Sequence, residues 1–228
     1  MKKSIIITLF LSLLSLTAMA QESAAELFNA GNAAYKAKDY ATAIANWKAY
    51  LDHPDAAVEN TESTTYYIAE AARKNKDLET ARSYYQKCID LDYKADMCTF
   101  KLGSTYKSED PEKYISYMET CVNEYPNSKY YKKFFLPSVT KYYNKAASEV
   151  FNKANAEAQA ATAKGDAFAY IEAMESKVLP LFEEAEAAFE KTLEFDSENT
   201  TALGAIENIN KQRETFTAYK AEIETAQK

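Results

Sequence analysis

His53 is the only histidine of the chain, and Pro54 follows it. A multi-histidine metal site is thereby excluded. A histidine-based catalytic triad would have to be assembled around that one ring, inside a segment, LDHPDAAVENTES, that reads as a loop. Glu183, Glu184, Glu186 and Glu190 offer oxygen ligands along one helix, but a glutamate run on a long helix is also what a solvated face looks like. No glycine-rich phosphate-binding loop occurs in a chain with four glycines. Cys88, Cys98 and Cys121 can serve as small buried hydrophobes, or as one disulfide and one free thiol under oxidising conditions; their spacing does not suit a zinc loop. The inventory points to no enzyme, no cofactor and no metal site.

Tyrosine carries the remaining signal. Eighteen are present, with adjacent pairs at 66–67, 84–85, 130–131 and 142–143. Neighbours on a helix point about 100° apart, so both members of a pair rarely enter one core stripe. One member is expected on a surface, where a large ring with a polar tip suits binding. Two uses follow: contact with a protein partner, or stacking on sugar rings, which would make the chain a surface or periplasmic carbohydrate-binding component.

The elements that would position these side chains are helical. Four glycines and five prolines leave little turn chemistry for β-hairpins. Ser23-x-x-Glu26 reads as a capping box. Asp39, Asp77 and Asp110 stand where a side-chain oxygen caps the next helix, with Pro111 at a first helical position. Gly165-Asp166 reads as a left-handed stop followed by a new cap. Short helices joined by short connections predict antiparallel hairpins in series. A net charge of −7 argues against nucleic acid and against anionic membrane surfaces.

The first residues form a separate segment. Lys2 and Lys3 precede an apolar run from Ile5 to Thr17, and Ala18-Met19-Ala20 supplies a small-residue cleavage pattern. As a helix that run spans about 20 Å, short of the roughly 30 Å hydrocarbon core. Residues 1–20 therefore read as a signal peptide. The expectation is an exported chain beginning at Gln21, periplasmic, envelope-associated or secreted, with no integral membrane segment after signal removal.

Two half-motifs recur. Ala43-x3-Trp47, Ala81-x3-Tyr85 and Ala185-x3-Phe189 place a small residue one turn before an aromatic one, and Tyr114-x3-Met118 is a degraded copy. Leu102-Gly103-x2-Tyr106 supplies the other half, with weaker forms at Ala30-Gly31, where Tyr35 falls one place late, and at Ile68-Ala69. Helices pack at about 8–10 Å, and the near end of that range requires small residues at the contact. Together the halves resemble the tetratricopeptide repeat, a two-helix unit of about 34 residues. The resemblance implies an all-α, right-handed superhelical solenoid of antiparallel helix hairpins, with an extended last hairpin and a C-terminal capping helix.

The spacings divide the chain. Residues 21–127 read as repeats one to three. Residues 128–198 read as a helix kinked or broken at Pro137, followed by a longer hairpin with Pro180 as a kink in its second arm. Residues 199–228 read as the capping helix, with Leu203, Ile206, Ile209, Phe216 and Ile223 as its apolar stripe.

What the resemblance implies about function is binding: a protein or peptide partner held in a concave groove lined by the first helix of each repeat. Carried onto this chain, the groove positions are Phe28, Asn32, Tyr35 and Lys36 around Gly31. Around Ala69 they are Tyr66, Glu70, Arg73 and Lys74; around Gly103, Phe100, Ser104 and Lys107. Each row starts aromatic and ends basic. Asn32 fits the family's peptide-carboxylate clamp, whereas Phe28 stands where that clamp has a basic residue. The implied role is a non-enzymatic adaptor or scaffold of the bacterial cell envelope.

Overall fold

A computed structural model describes residues 22–227; the signal-like segment lies outside the described residues. Among the described residues there are ten α-helices and no strand. Helices α1 (Ala24–Lys36) and α2 (Tyr40–Leu51), α3 (Val58–Lys74) and α4 (Leu78–Asp90), and α5 (Ala95–Ser104) and α6 (Pro111–Glu124) form three antiparallel hairpins. A long helix, α7 (Leu136–Thr162), pairs with α9 (Leu179–Phe195) through the short α8 (Ala167–Ala173), and α10 (Thr200–Ala226) lies along α9.

The helix starts follow from local chemistry. Ser23 and Glu26 complete a reciprocal capping box on α1. Asp39, Asp77 and Asp110 accept from the backbone N–H of Thr42, Thr80 and Lys113, and Asn199 does the same for Ala202. Asp166 accepts from both Phe168 and Ala169 after Gly165 turns with φ +68°. The hairpin turns add a device on the residue before the aspartate. Lys38 and Lys76 adopt φ of 64° and 62°, the left-handed region. The N–H of Asp39 then reaches Ala34 O and that of Lys38 reaches Tyr35 O. Asp77 and Lys76 repeat this on Ala72 and Arg73. These are Schellman closures with lysine where glycine is common. The recurrent Lys-Asp pair thus ends one helix and caps the next.

Helix contacts are set by small residues. Ala43, Ala81 and Ala185 are fully buried. A Cβ on Gly31 would lie 2.5 Å from Trp47 Cδ1 and Nε1, and one on Gly103 2.4 Å from Tyr117 Cβ. Both glycines permit the second helix to seat an aromatic residue against the first.

The prolines act through wide turns. Tyr131–Phe135 and Met174–Val178 are each one π-helical turn, ending two residues before Pro137 and Pro180. A proline ring has no N–H to donate and clashes with the carbonyl four residues earlier. Opening the preceding turn to an i→i+5 pattern moves that carbonyl aside, and the helix continues. Both prolines consequently stand at the second position of a new α-helix rather than at a break.

The core runs through the stack. Its first part joins Ala43, Trp47, Ile68, Tyr85 and Leu102 across the early hairpins. A middle part holds Met118, Cys121, Phe135 and Val139, and the last holds Ala147, Ala154, Phe182, Phe189 and Ile209. On α10 the buried side is Ala202, Ile209 and Phe216, with Ile206 partly covered. Leu203, expected on that stripe, is 46 % exposed because it stands about 100° from Ala202. The cysteines are buried free thiols. Cys98 Sγ donates to Tyr93 O at 3.5 Å, and the neighbouring Cys88, then burial, pushes its thiol up; burial pushes Cys121 up to about 12.

Candidate functional site

The first-helix faces carry the candidate site, and its residues divide by what they touch. In the first row, Phe28 packs on Tyr50 with ring centroids 5.1 Å apart. Tyr35 packs edge-on to Tyr40 at 5.5 Å and against Trp47 at 5.5 Å. Asn32 is half-buried, and Lys36 is exposed in the last turn of α1.

The second row is built around Glu70, which is 8 % exposed. Its carboxylate accepts from the Tyr85 hydroxyl of α4, from Lys101 Nζ of α5 at 2.8 Å and from the Arg73 guanidinium at 3.2 Å. Burial alone would raise the Glu70 pKa. The hydrogen bonds from Lys101, Tyr85 and Arg73 outweigh it and hold the carboxyl below the usual glutamate range. Burial, with Glu70 beside it, pushes the Tyr85 phenol up, so it remains a donor. One carboxylate therefore ties α3 to α4 and α5. It also engages Arg73, which is left about two-fifths exposed.

Tyr66 is half-buried, edge-on to Tyr93, with Lys94 Nζ 4.4 Å from its ring centre. Its pKa is raised by burial first and by Glu70 second. Lys74 is exposed, with Nζ 5.9 Å and 5.7 Å from the rings of Tyr35 and Tyr40. It reaches back from α3 to the turn of the first hairpin. Two rows are thus joined by a cation over aromatic rings.

In the third row Phe100 packs on Phe134 and Phe135, at 5.7 Å and 5.5 Å. The Ser104 hydroxyl donates to Phe100 O at 2.7 Å. Lys107 is exposed beyond the end of α5, 5.6 Å from the Tyr114 ring centre. Across the three rows the aromatic residues form a half-buried backing, while Lys36, Arg73, Lys74 and Lys107 remain exposed. Cations near helix C-termini also favour the helix dipole, so these residues fit their helices as well as an acidic partner.

Sequence reasoning missed two residues that shape this region. Lys101 neutralises Glu70 from the next hairpin. Arg82 lays its guanidinium 3.9 Å from the Tyr106 ring centre, donates to Thr105 O at 2.8 Å and pairs with Glu109. Neither falls on the spacing that marks the rows; the only available signal was a long cation one helix away from a ring or an acid. The glutamates of α9 do not act as one group, since Glu186 pairs with Arg213 of α10.

Comparison with known proteins bears on these repeats. The model of the tetratricopeptide repeat family matches residues 65–92 and 98–128, covering α4 with most of α3, and then α5 and α6. No curated protein matches the chain. A crystal structure of a TPR repeats protein from Bacteroides fragilis is similar over 90 % of this chain and 99 % of its own, with 17 % identity and a TM-score of 0.50. The TPR2AB-domain:pHSP90-complex of yeast Sti1 shares 19 % identity over 86 % of each chain, with a TM-score of 0.41. The C-terminal part of a TPR repeat-containing protein from Cytophaga hutchinsonii shares 16 % identity over 81 % of this chain and 88 % of its own, with a TM-score of 0.40. The Bacteroides fragilis likeness concerns the fold, and it agrees with the hairpin arrangement described above. The family model is thus matched on two consecutive hairpins, and these two hairpins are similar to tetratricopeptide repeats.

Proposed function

We propose that this protein is a non-enzymatic adaptor or scaffold of the bacterial cell envelope that holds a peptide segment or helix of a partner against its first-helix faces. Tetratricopeptide repeats point to protein–protein interaction, and the exposed basic strip supports this surface as the one used. Lys36, Lys74 and Lys107 stay exposed in front of a half-buried aromatic backing, in a chain of net charge −7. A strip of this kind favours partners with carboxylates and an apolar anchor, since opposite charge steers encounter and aromatic surface supplies contact area. The tyrosines favour this reading over sugar stacking. Lys94 lies over Tyr66, and Tyr67, though 41 % exposed, has one face stacked on Trp47 at 5.8 Å, so each of these two rings already has one neighbour on it.

Export rests on the N-terminal residues: the charged pair, the short apolar run and Ala18-Met19-Ala20. Capture of protein partners from the native envelope fraction tests the proposal, comparing the wild type with Lys36→Glu/Lys74→Glu. Weaker capture by the variant at unchanged helicity is expected. Equal capture would overturn the use of this face, and a mature chain that starts at Met1 would overturn the export.

A further inference from the structure

Helices α4 and α5 belong to different hairpins, and their side chains fix how the two helices face each other. Tyr85 of α4 and Lys101 of α5 both donate to the Glu70 carboxylate. Farther from the connecting loop, Arg82 Nε donates to Thr105 Oγ1 at 2.9 Å. In an antiparallel pair, each step forward along one helix is matched by an equal step back along the other. Three residues on from Tyr85 and three back from Lys101 bring Cys88 opposite Cys98.

The connection between the helices closes on the same two residues, which the structure holds as thiols. Tyr93 stands midway, with Asp92 and Lys94 at φ of 53° and 50° on either side. Its N–H donates to Cys88 O at 2.9 Å, and its carbonyl accepts from Cys98 Sγ at 3.5 Å. Both side chains are fully buried in one core cluster, with Ala81, Tyr85 and Leu102. Cys121 lies in another cluster, with Met118 and Val139. Burial, then Asp96 and Glu124, raise the Cys121 thiol, whereas Cys88 is the first cause for Cys98. Cα atoms that face each other across helices packed at about 8–10 Å come within about 6 Å, a separation that a disulfide spans.

We propose that Cys88 and Cys98 are joined by a disulfide in the mature protein, fastening the second hairpin to the third and leaving Cys121 as a free thiol. The inference adds a modification to the exported adaptor proposed above, and rests on that export for its oxidising surroundings. The oxidant is a disulfide-bearing donor. A thiolate of the pair attacks the donor's S–S bond and expels one donor thiol; the second cysteine then attacks the mixed disulfide and releases the other. Two protons and two electrons leave the pair, and the donor is reduced to two thiols. Exchange needs a thiolate, and in the folded chain burial and the raised Cys98 pKa suppress it. The bond therefore closes before the core does and is shielded from reductants afterwards. In a stack where each repeat touches only its neighbours, a bond between hairpins strengthens the contact that holds the array together. Closing the loop also removes freedom from the unfolded chain.

The test refolds the purified protein from urea with oxidised glutathione, alkylates the remaining thiols in denaturant and maps the tryptic peptides by mass spectrometry. Lys94 lies between the two cysteines, so cleavage leaves them on separate peptides that only the disulfide holds together. Cys88 and Cys98 should be recovered as one cross-linked pair in most molecules, with Cys121 alkylated. The urea midpoint of the oxidised protein should lie above that of the reduced protein. Cys121→Ala should keep both the cross-link and the shift. Cys88→Ala should lose both while its circular dichroism spectrum stays helical. The proposal is overturned if all three cysteines are alkylated, if Cys121 enters the predominant pair, or if oxidised and reduced protein unfold at the same midpoint. Refolding decides the pairing whether or not the chain is exported. Export is read separately, from the N-terminus of the protein isolated from its host, so the two failures are distinguishable.

Discussion

Replacing Glu70 by alanine removes the one acceptor that three donors from three helices share. Tyr85 is fully buried, so its hydroxyl would be left without a partner, at a cost of about 1–3 kcal/mol. The Lys101 and Arg73 side chains keep 21 % and 40 % exposure, so both cations rehydrate and add little. The expected loss is therefore about 2–3 kcal/mol, carried mainly by one orphaned hydroxyl. Glu70→Gln keeps an acceptor for Tyr85 and gives up only the charge assistance, about 1 kcal/mol.

The two variants also differ from the wild type in acid. Because the folded-state pKa of Glu70 is lowered, its contribution is complete above the ordinary glutamate range and disappears as pH falls through the depressed value. The stability lost by the wild type below about pH 4 should include this component, and Glu70→Gln should not lose it. Urea midpoints at neutral pH and in acid, with slopes compared, measure both effects. An alanine variant within about 0.5 kcal/mol of the wild type would mean that Glu70 does not hold the Tyr85 hydroxyl at a cost to lose. A glutamine variant with the wild-type acid dependence would mean that the Glu70 carboxylate is not the source of this acid loss.

Other substitutions test the hairpin contacts. Ala43→Leu and Ala81→Leu should each cost about 1–3 kcal/mol by overpacking fully buried sites, whereas exposed Ala156→Leu on α7 should cost little; urea midpoints compare the three. Gly31→Ala and Gly103→Ala should also cost about 1–3 kcal/mol, because the new Cβ meets Trp47 or Tyr117 inside van der Waals distance; thermal melts report this directly. Lys38→Gly and Lys76→Gly relieve left-handed lysines whose N–H bonds are retained. Each should change stability upward by up to about 1 kcal/mol, since the entropy cost of glycine offsets part of the relief; the same melts would show no gain if the turns were unstrained.

Much of the fold was legible because its signals are local. A side-chain oxygen at Asp39, Asp77, Asp110 or Asp166 can be recognised as a cap without knowing what the helix packs against. The Ala-x3-aromatic spacing states its own geometry. The left-handed lysines were not legible, because Lys38 and Lys76 are ordinary helix formers whose conformation is imposed by the closure around them. Pro137 and Pro180 announced an interruption but not its form. A widened turn and a kink relieve the same clash, and neighbouring packing decides between them.

The candidate site shows the same limit. The resemblance to the repeat placed Glu70 on the first-helix row. It did not reveal that Tyr85, 15 residues on, and Lys101, from the next hairpin, converge on its carboxylate.

Whether a protein partner is held against the first-helix faces can be read by site-specific photo-crosslinking in the native host's envelope fraction. A photoreactive residue at Lys74, exposed on α3, is compared with one at Gln86, exposed on the second helix α4. A protein adduct is expected at position 74, competed by excess unmodified protein, with little or none at position 86. Adducts of equal yield at both positions, or at 86 alone, would contradict it.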